Sequence, residues 1–162
     1  MSIRRNKDGF TLVEILVVVA LIAILATLVV GVAGRIDAQA KEKALESTFT
    51  LLDSALQEYR RFTDKFPEQP ENNPANAAAH SELLHHELNS VPDSRSVLEK
   101  IDNSSIKNEY GASGTPVGTS AEIYDPWGTV LDYRYSTGEN FPVMMSAGPD
   151  KVFGTTDDMK SK

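Results

Sequence analysis

FTLVEILVVVALIAILATLVVGVAG, from Phe10 to Gly34, is the stretch from which the organisation of this chain is read. From Ile15 to Gly34 it runs 20 residues without a charged side chain. About 20 helical residues at about 1.5 Å each cover roughly 30 Å, the hydrocarbon thickness of a bilayer. Such a run is either a membrane-spanning helix or a buried helix of a soluble domain. Its length, and the amphipathic pattern directly after it, favour the membrane.

The residues ahead of it, MSIRRNKDG, form a short basic leader with Arg4, Arg5 and Lys7 against Asp8. Basic residues on this side orient the N-terminus toward the cytoplasm. A secretory signal peptide carries its apolar region before the cleavage site and loses it on cleavage. Here the order is reversed: the leader ends at Gly9, the apolar stretch starts at Phe10, and no small-residue site closes it. The hydrophobic segment is therefore expected to stay in the mature protein.

Glu14 interrupts the pattern. A carboxylate at the centre of a membrane helix costs about 2.5–3.5 kcal/mol, and less near an interface. One reading is an interfacial acid that reaches headgroups and water. The other is a charge with a partner. Cleavage after Gly9 would give Phe10 a free ammonium and make Glu14 the fifth residue of the mature chain. Staggered copies could then pair amine with carboxylate in an apolar filament core, which fixes register because a mismatch buries unpaired charge.

G-F-T-L-V-E, Gly9 to Glu14, followed by the apolar run, resembles the processing and methylation motif of type IV pilins and pseudopilins. The resemblance implies cleavage between Gly9 and Phe10 by a membrane prepilin peptidase, N-methylation of Phe10, and the assembly role of Glu14. It further implies a homo-oligomeric filament in contact with minor pseudopilins, an inner-membrane assembly platform and membrane lipid.

Beyond Gly34 the texture changes. Leu45, Phe49, Leu52, Leu56 and Tyr59 recur at steps of four and three, one apolar stripe on a polar helix. Gly31 and Gly34 each weaken a helix by roughly 1 kcal/mol relative to alanine and allow a bend. The pattern predicts one helix from about Phe10 to Phe62, ended by Pro67 and Pro70. Residues 63–79 read as a loop, after which Ser81 caps a second helix with Leu83, Leu84 and Leu88 on its apolar face. His85 and His86 diverge by about 100° around a helix and cannot easily share an ion; with His80 they read as solvent-exposed. A Gly/Ser/Thr/Pro loop covers Gly111 to Ser120, and strands are expected at Val130–Tyr135 and Phe141–Met145, joined by a turn through Ser136–Asn140.

The fold class expected is α+β and pilin-like, a long N-terminal helix packed on a small antiparallel sheet. The segments are a leader (1–9), a transmembrane half-helix (10–34), an amphipathic half-helix (35–66), a variable connector with a short helix (67–120), and a sheet with an acidic C-terminal loop (121–162). The polar remainder is poor in large apolar side chains, so its core is small and wants a staple. With no cysteine, that staple is not a disulfide.

The tail SAGPDKVFGTTDD, Ser146 to Asp158, holds the hard oxygen ligands Asp150, Asp157 and Asp158, with Gly148 and Gly154 permitting sharp turns. Composition alone favours an ordinary solvated acidic terminus, and the twelve-residue EF-hand pattern is not matched. The wider resemblance points elsewhere. D-P-W-G (Asp125 to Gly128), the Y-R-Y strand, S-T-G-E, G-P-D-x-x-x-G-T-x-D-D, and A-L-Q-E-Y-R (Ala55 to Arg60) with Phe66-Pro67 resemble the major (G-type) pseudopilin of type II secretion. That family implies calcium held by Asp150, Asp157 and Asp158 with carbonyls near Ala147 and Val152, Trp127 as a core anchor, and Asp125-Pro126 as a turn. The connector from Glu68 to Ser120 is longer than the family pattern, and Gly31 stands where many relatives carry proline.

The net charge of −7 and the lack of any basic stripe argue against a nucleic-acid partner. No Ser/His/Asp arrangement, phosphate loop or dinucleotide fingerprint is present, which argues against an enzyme. The readings that remain are a type II secretion pseudopilin at the inner membrane with a periplasmic C-terminal domain, a minor pseudopilin, and a type IV pilin for adhesion, motility or DNA uptake. Such pilins usually close their C-terminal region with a disulfide, so the lack of cysteine disfavours the last.

Overall fold

The computed structural model describes residues 10–109, 121–136 and 138–161, with the side chains of residues 28–33 outside that set. Contacts divide the chain into two compact units, Met1–Ala40 and Lys41–Lys162. One α-helix, α1 (Leu12–Thr63), contains the boundary between them. The helix is assigned through Gly31 and Gly34 without a break.

In the second unit the stripe falls where its spacing requires. Leu45, Phe49, Leu52, Ala55, Leu56 and Tyr59 are all buried. Each fully buried large side chain contributes roughly 1.5–3 kcal/mol relative to exposure, and this stripe is the spine of the core. The helix stops before its two prolines. Asp64 turns into the left-handed region at φ 62°, and Thr63 Oγ1 donates to the carbonyls of Tyr59 and Lys65 at 2.9 and 2.8 Å.

The connector is more ordered than a plain loop. A single 3₁₀ turn, Pro74–Asn76, leads into α2 (Ala77–Ser90), and α3 (Pro92–Leu98) comes at once after it. Proline suits the start of α3, because the amide it lacks would be unpaired there anyway. Two expectations are corrected here. Ser81 does not cap α2: it lies inside the helix, where its Oγ accepts from the Ile123 N–H at 2.9 Å. His80 is not exposed to solvent but 3% exposed. The reason is helical phase. Because α2 begins at Ala77, residues 77, 80, 81, 84 and 88 share one face, and that face packs on the sheets. His86 is exposed, and Leu83 and His85 are half-buried.

Two small antiparallel sheets complete the α+β fold. β1 (Ile106–Lys107) pairs with β2 (Glu122–Ile123), in the register Ile106 opposite Ile123. β3 (Asp132–Arg134), β4 (Val143–Ser146) and β5 (Met159–Lys160) form the second sheet in that order. Within it, Tyr133 stands opposite Met144 and Ser146 opposite Met159. β3 is the core of the expected strand at Val130–Tyr135, and β4 starts two residues into the one expected at Phe141–Met145 and runs on to Ser146. Across the expected turn, of which Thr137 lies outside the described residues, Glu139 N–H donates to the Ser136 carbonyl at 3.0 Å and Ser136 N–H to Glu139 Oε2 at 3.1 Å. Phe66 lies edge-on to Tyr135 and Phe141, with ring centroids 5.5 and 4.9 Å apart, and Trp127 packs half-buried against the same core. Gly9 and the loop expected at Gly111–Ser120 lie outside the described residues.

Candidate functional site

Three groups of residues carry the chemistry. The first is the head of α1. Thr11 and Glu14 form a reciprocal cap: Thr11 N–H and Oγ1 donate to Glu14 Oε2 at 2.9 and 3.0 Å, and Glu14 N–H donates to Thr11 Oγ1 at 3.3 Å. This pairs the amides of Thr11 and Glu14 as a Thr-x-x-Glu capping box does. Glu14 therefore has a local task besides any pairing between subunits. The apolar segment around this cap is uncovered. Phe10 is 83% exposed and Leu12 80%, and every large apolar residue from Val13 to Leu25 is exposed as well. A helix apolar on all sides needs an apolar surrounding, either other helices or lipid. Among the described residues no helix is long and apolar enough to cross a membrane, and the uncharged run includes residues 28–33 with their undescribed side chains.

Residues 4–30 match the family model for the prokaryotic N-terminal methylation motif. The match covers the leader from Arg4, the Gly9-Phe10 junction, Glu14 and most of the uncharged run. It supports a type IV pilin-like precursor, with peptidase processing and filament assembly in general. No curated protein and no solved structure matches the chain.

The second group is the C-terminal loop between β4 and β5. Asp157 Oδ2 accepts from the Asp150 N–H at 3.0 Å, and its Oδ1 from Thr155 Oγ1 at 2.5 Å. The Thr155 hydroxyl bond, then the Asp150 amide bond, hold the Asp157 carboxyl below its ordinary pKa. Asp150 Oδ1 accepts from the Val152 N–H at 2.8 Å, and Asp158 Oδ2 from the Gly154 N–H at 2.8 Å. Gly148 sits at φ +66°, where a Cβ would overlap the Asp157 carbonyl oxygen. Glycine is thus required there twice over, by dihedral and by space.

The loop fits a hard cation in part. Asp158 Oδ1 is buried and has no hydrogen-bond partner, the condition of an acceptor that a cation would satisfy. Asp150 and Asp157 already meet each other through the Asp150 amide. Among the described residues, however, no three His, Cys, Asp or Glu side chains stand together closely enough to hold a metal ion. The donor set fits calcium only where backbone carbonyls join the carboxylates, as calcium sites commonly allow. Of the two carbonyl residues expected to help, Ala147 is buried and Val152 is exposed. The Val152 carbonyl also accepts from Thr155 Oγ1 at 3.2 Å.

The third group is buried polar structure between α2 and the sheets. His80 Nδ1 and Arg134 Nε each lie 2.7 Å from one oxygen of Asp132, which is fully buried. Asp125, on the Asp-Pro turn, accepts from the Trp127 and Thr129 amides at 3.0 and 2.8 Å through Oδ1, and from Ser146 Oγ at 2.6 Å through Oδ2. Glu82 and Glu122 are buried too. Burial, then the Glu122 charge, push Glu82 above the ordinary carboxylate range, while His86 works against them. Of these, only Asp125 carried a local signal in the sequence, the Asp-Pro turn.

Proposed function

We propose that this chain is a structural subunit of a type II secretion pseudopilus, assembled in the inner membrane into a periplasmic filament that drives protein export. The observation that carries the reading is the exposed apolar segment at the start of α1, Phe10 to Leu25, whose head bears the methylation motif. In this reading the helix stays in the bilayer, with its N-terminus cytoplasmic, until the subunit joins the filament. There its apolar sides meet those of other copies. Prepilin peptidase cuts between Gly9 and Phe10 and Phe10 is methylated. Glu14 pairs with the amine of a neighbouring copy. The assembly platform and minor pseudopilins complete the machine. The globular unit supplies the filament's outer surface, with no catalytic task.

Calcium is proposed as the staple of the C-terminal loop. Asp150, Asp157 and Asp158 would hold it, with carbonyls at Ala147 and Val152. The orphaned Asp158 oxygen supports this reading. Ion binding to the native loop alone adds about 2.7 kcal/mol of stability when calcium stands at about a hundred times its Kd. The melting temperature of the purified chain is therefore expected to rise by several degrees with calcium over chelator, and Asp157→Ala to lose the rise. Identical melting curves in both buffers would end the calcium claim.

Loss of the gene tests the secretion role. Export of proteins to the medium should stop while surface motility persists. Lost motility with intact export would favour the pilus reading instead.

A further inference from the structure

Ser146 ends β4 and is fully buried. Its Oγ donates to Asp125 Oδ2 at 2.6 Å and accepts from the Gly148 N–H at 3.0 Å. A carboxylate only accepts, so Asp125 forces the hydroxyl to point its proton inward and leaves its lone pair for Gly148. Gly148 in turn packs against the Asp157 carbonyl with no room for a side chain. Its own carbonyl accepts from the Lys151 N–H at 3.2 Å across the next turn. The buried turn at Asp125 is thus connected, one contact at a time, to the acidic loop.

We infer that Asp125 and Ser146 are positioning residues for cation binding in the loop 147–158: the carboxylate orients the hydroxyl, the hydroxyl fixes the Gly148 backbone, and that backbone seats Asp157. The inference rests on the calcium reading above for the identity of the ion, and on the contacts alone for the seating of the loop. Neither residue touches the ion. Both act through Gly148, whose left-handed backbone lies against the Asp157 carbonyl with no room for a side chain.

The test uses the full chain in detergent, with Ser146→Ala removing the hydroxyl and Asp125→Asn removing the obligate acceptor while preserving shape. Amide exchange in chelator is read first. In Ser146→Ala the amides of Gly148 and Asp150 should exchange at least tenfold faster, while those of the β3–β4 ladder keep their protection. Unchanged exchange at Gly148 and Asp150 overturns the inference, as does a uniform rise across the ladder, which would mark mere loss of stability. Calcium titration is read second. Ser146→Ala should weaken binding at least tenfold and Asp125→Asn measurably, and binding at the unaltered strength by both variants overturns the inference. A wild-type chain that binds no calcium defeats the ion's identity and with it the binding role, while the exchange rates still decide whether the two residues seat the loop.

Discussion

Asp132→Ala is expected to lower the stability of the globular unit by about 3 kcal/mol, the size seen when one member of a buried charged network is removed. Asp132 is fully buried and holds two elements at once. His80, from α2, lies 2.7 Å from one carboxylate oxygen, and Arg134, its neighbour on β3, lies 2.7 Å from the other. Alanine would strand the buried His80 ring nitrogen and leave the half-buried Arg134 guanidinium to find water instead of the acid. His80 has little slack, since its Nε2 is already buried without a hydrogen-bond partner. The midpoint of thermal unfolding should fall by about 10–15 °C. Asp132→Asn keeps two polar contacts and should cost less than half as much. A shift under about 3 °C for the alanine variant would mean that the network does not hold α2 to the sheet.

Glu14→Ala is expected to leave membrane insertion intact and to reduce filament yield at least tenfold. Two effects separate here. Losing the Thr11–Glu14 cap costs about 1 kcal/mol of helix start, too little to stop assembly. Leaving a neighbour's amine unpaired in an apolar core costs about 3–5 kcal/mol per contact, and a filament repeats that loss at every subunit. Thr11→Ala is the control: it removes the capping hydroxyl, keeps the carboxylate, and should retain most of the filaments. Normal yield from Glu14→Ala would contradict the pairing role. Equal loss from both variants would assign the effect to the cap.

The elements legible in the sequence are those with a period. Five apolar residues from Leu45 to Tyr59 announce a helical face, and all five are buried. β3 lies within its expected run and β4 overlaps its own, passing its end by Ser146, for the same reason. β1, β2 and β5 have two residues each, too short for alternation to register. On α2 the buried face includes His80, which the sequence reading assigns to solvent, and Ser81, which it assigns to the helix cap. Partners distant in the chain meet them inside: Asp132, 52 residues from His80, meets its Nδ1, and the amide of Ile123, 42 residues on, meets Ser81. Nothing local signals such a partner. The cap at Thr11 is legible by its Thr-x-x-Glu spacing, yet the charge of Glu14 in an apolar run points to assembly and masks the local bond. In the C-terminal loop the residue types are visible in the sequence. Their seating on Gly148 and Ser146 depends on a dihedral and on a fold-distant carboxylate, which composition does not encode.

The central claim is that the apolar segment survives processing and becomes the shaft by which copies associate. Intact-mass and N-terminal peptide measurement of the protein extracted from native membranes tests it directly. The account predicts a mature chain that begins at Phe10, carries one added methyl group on its amine, and retains every residue of the uncharged run through Gly34. A chain that begins downstream of Gly34, or one recovered whole from the soluble fraction, would contradict it.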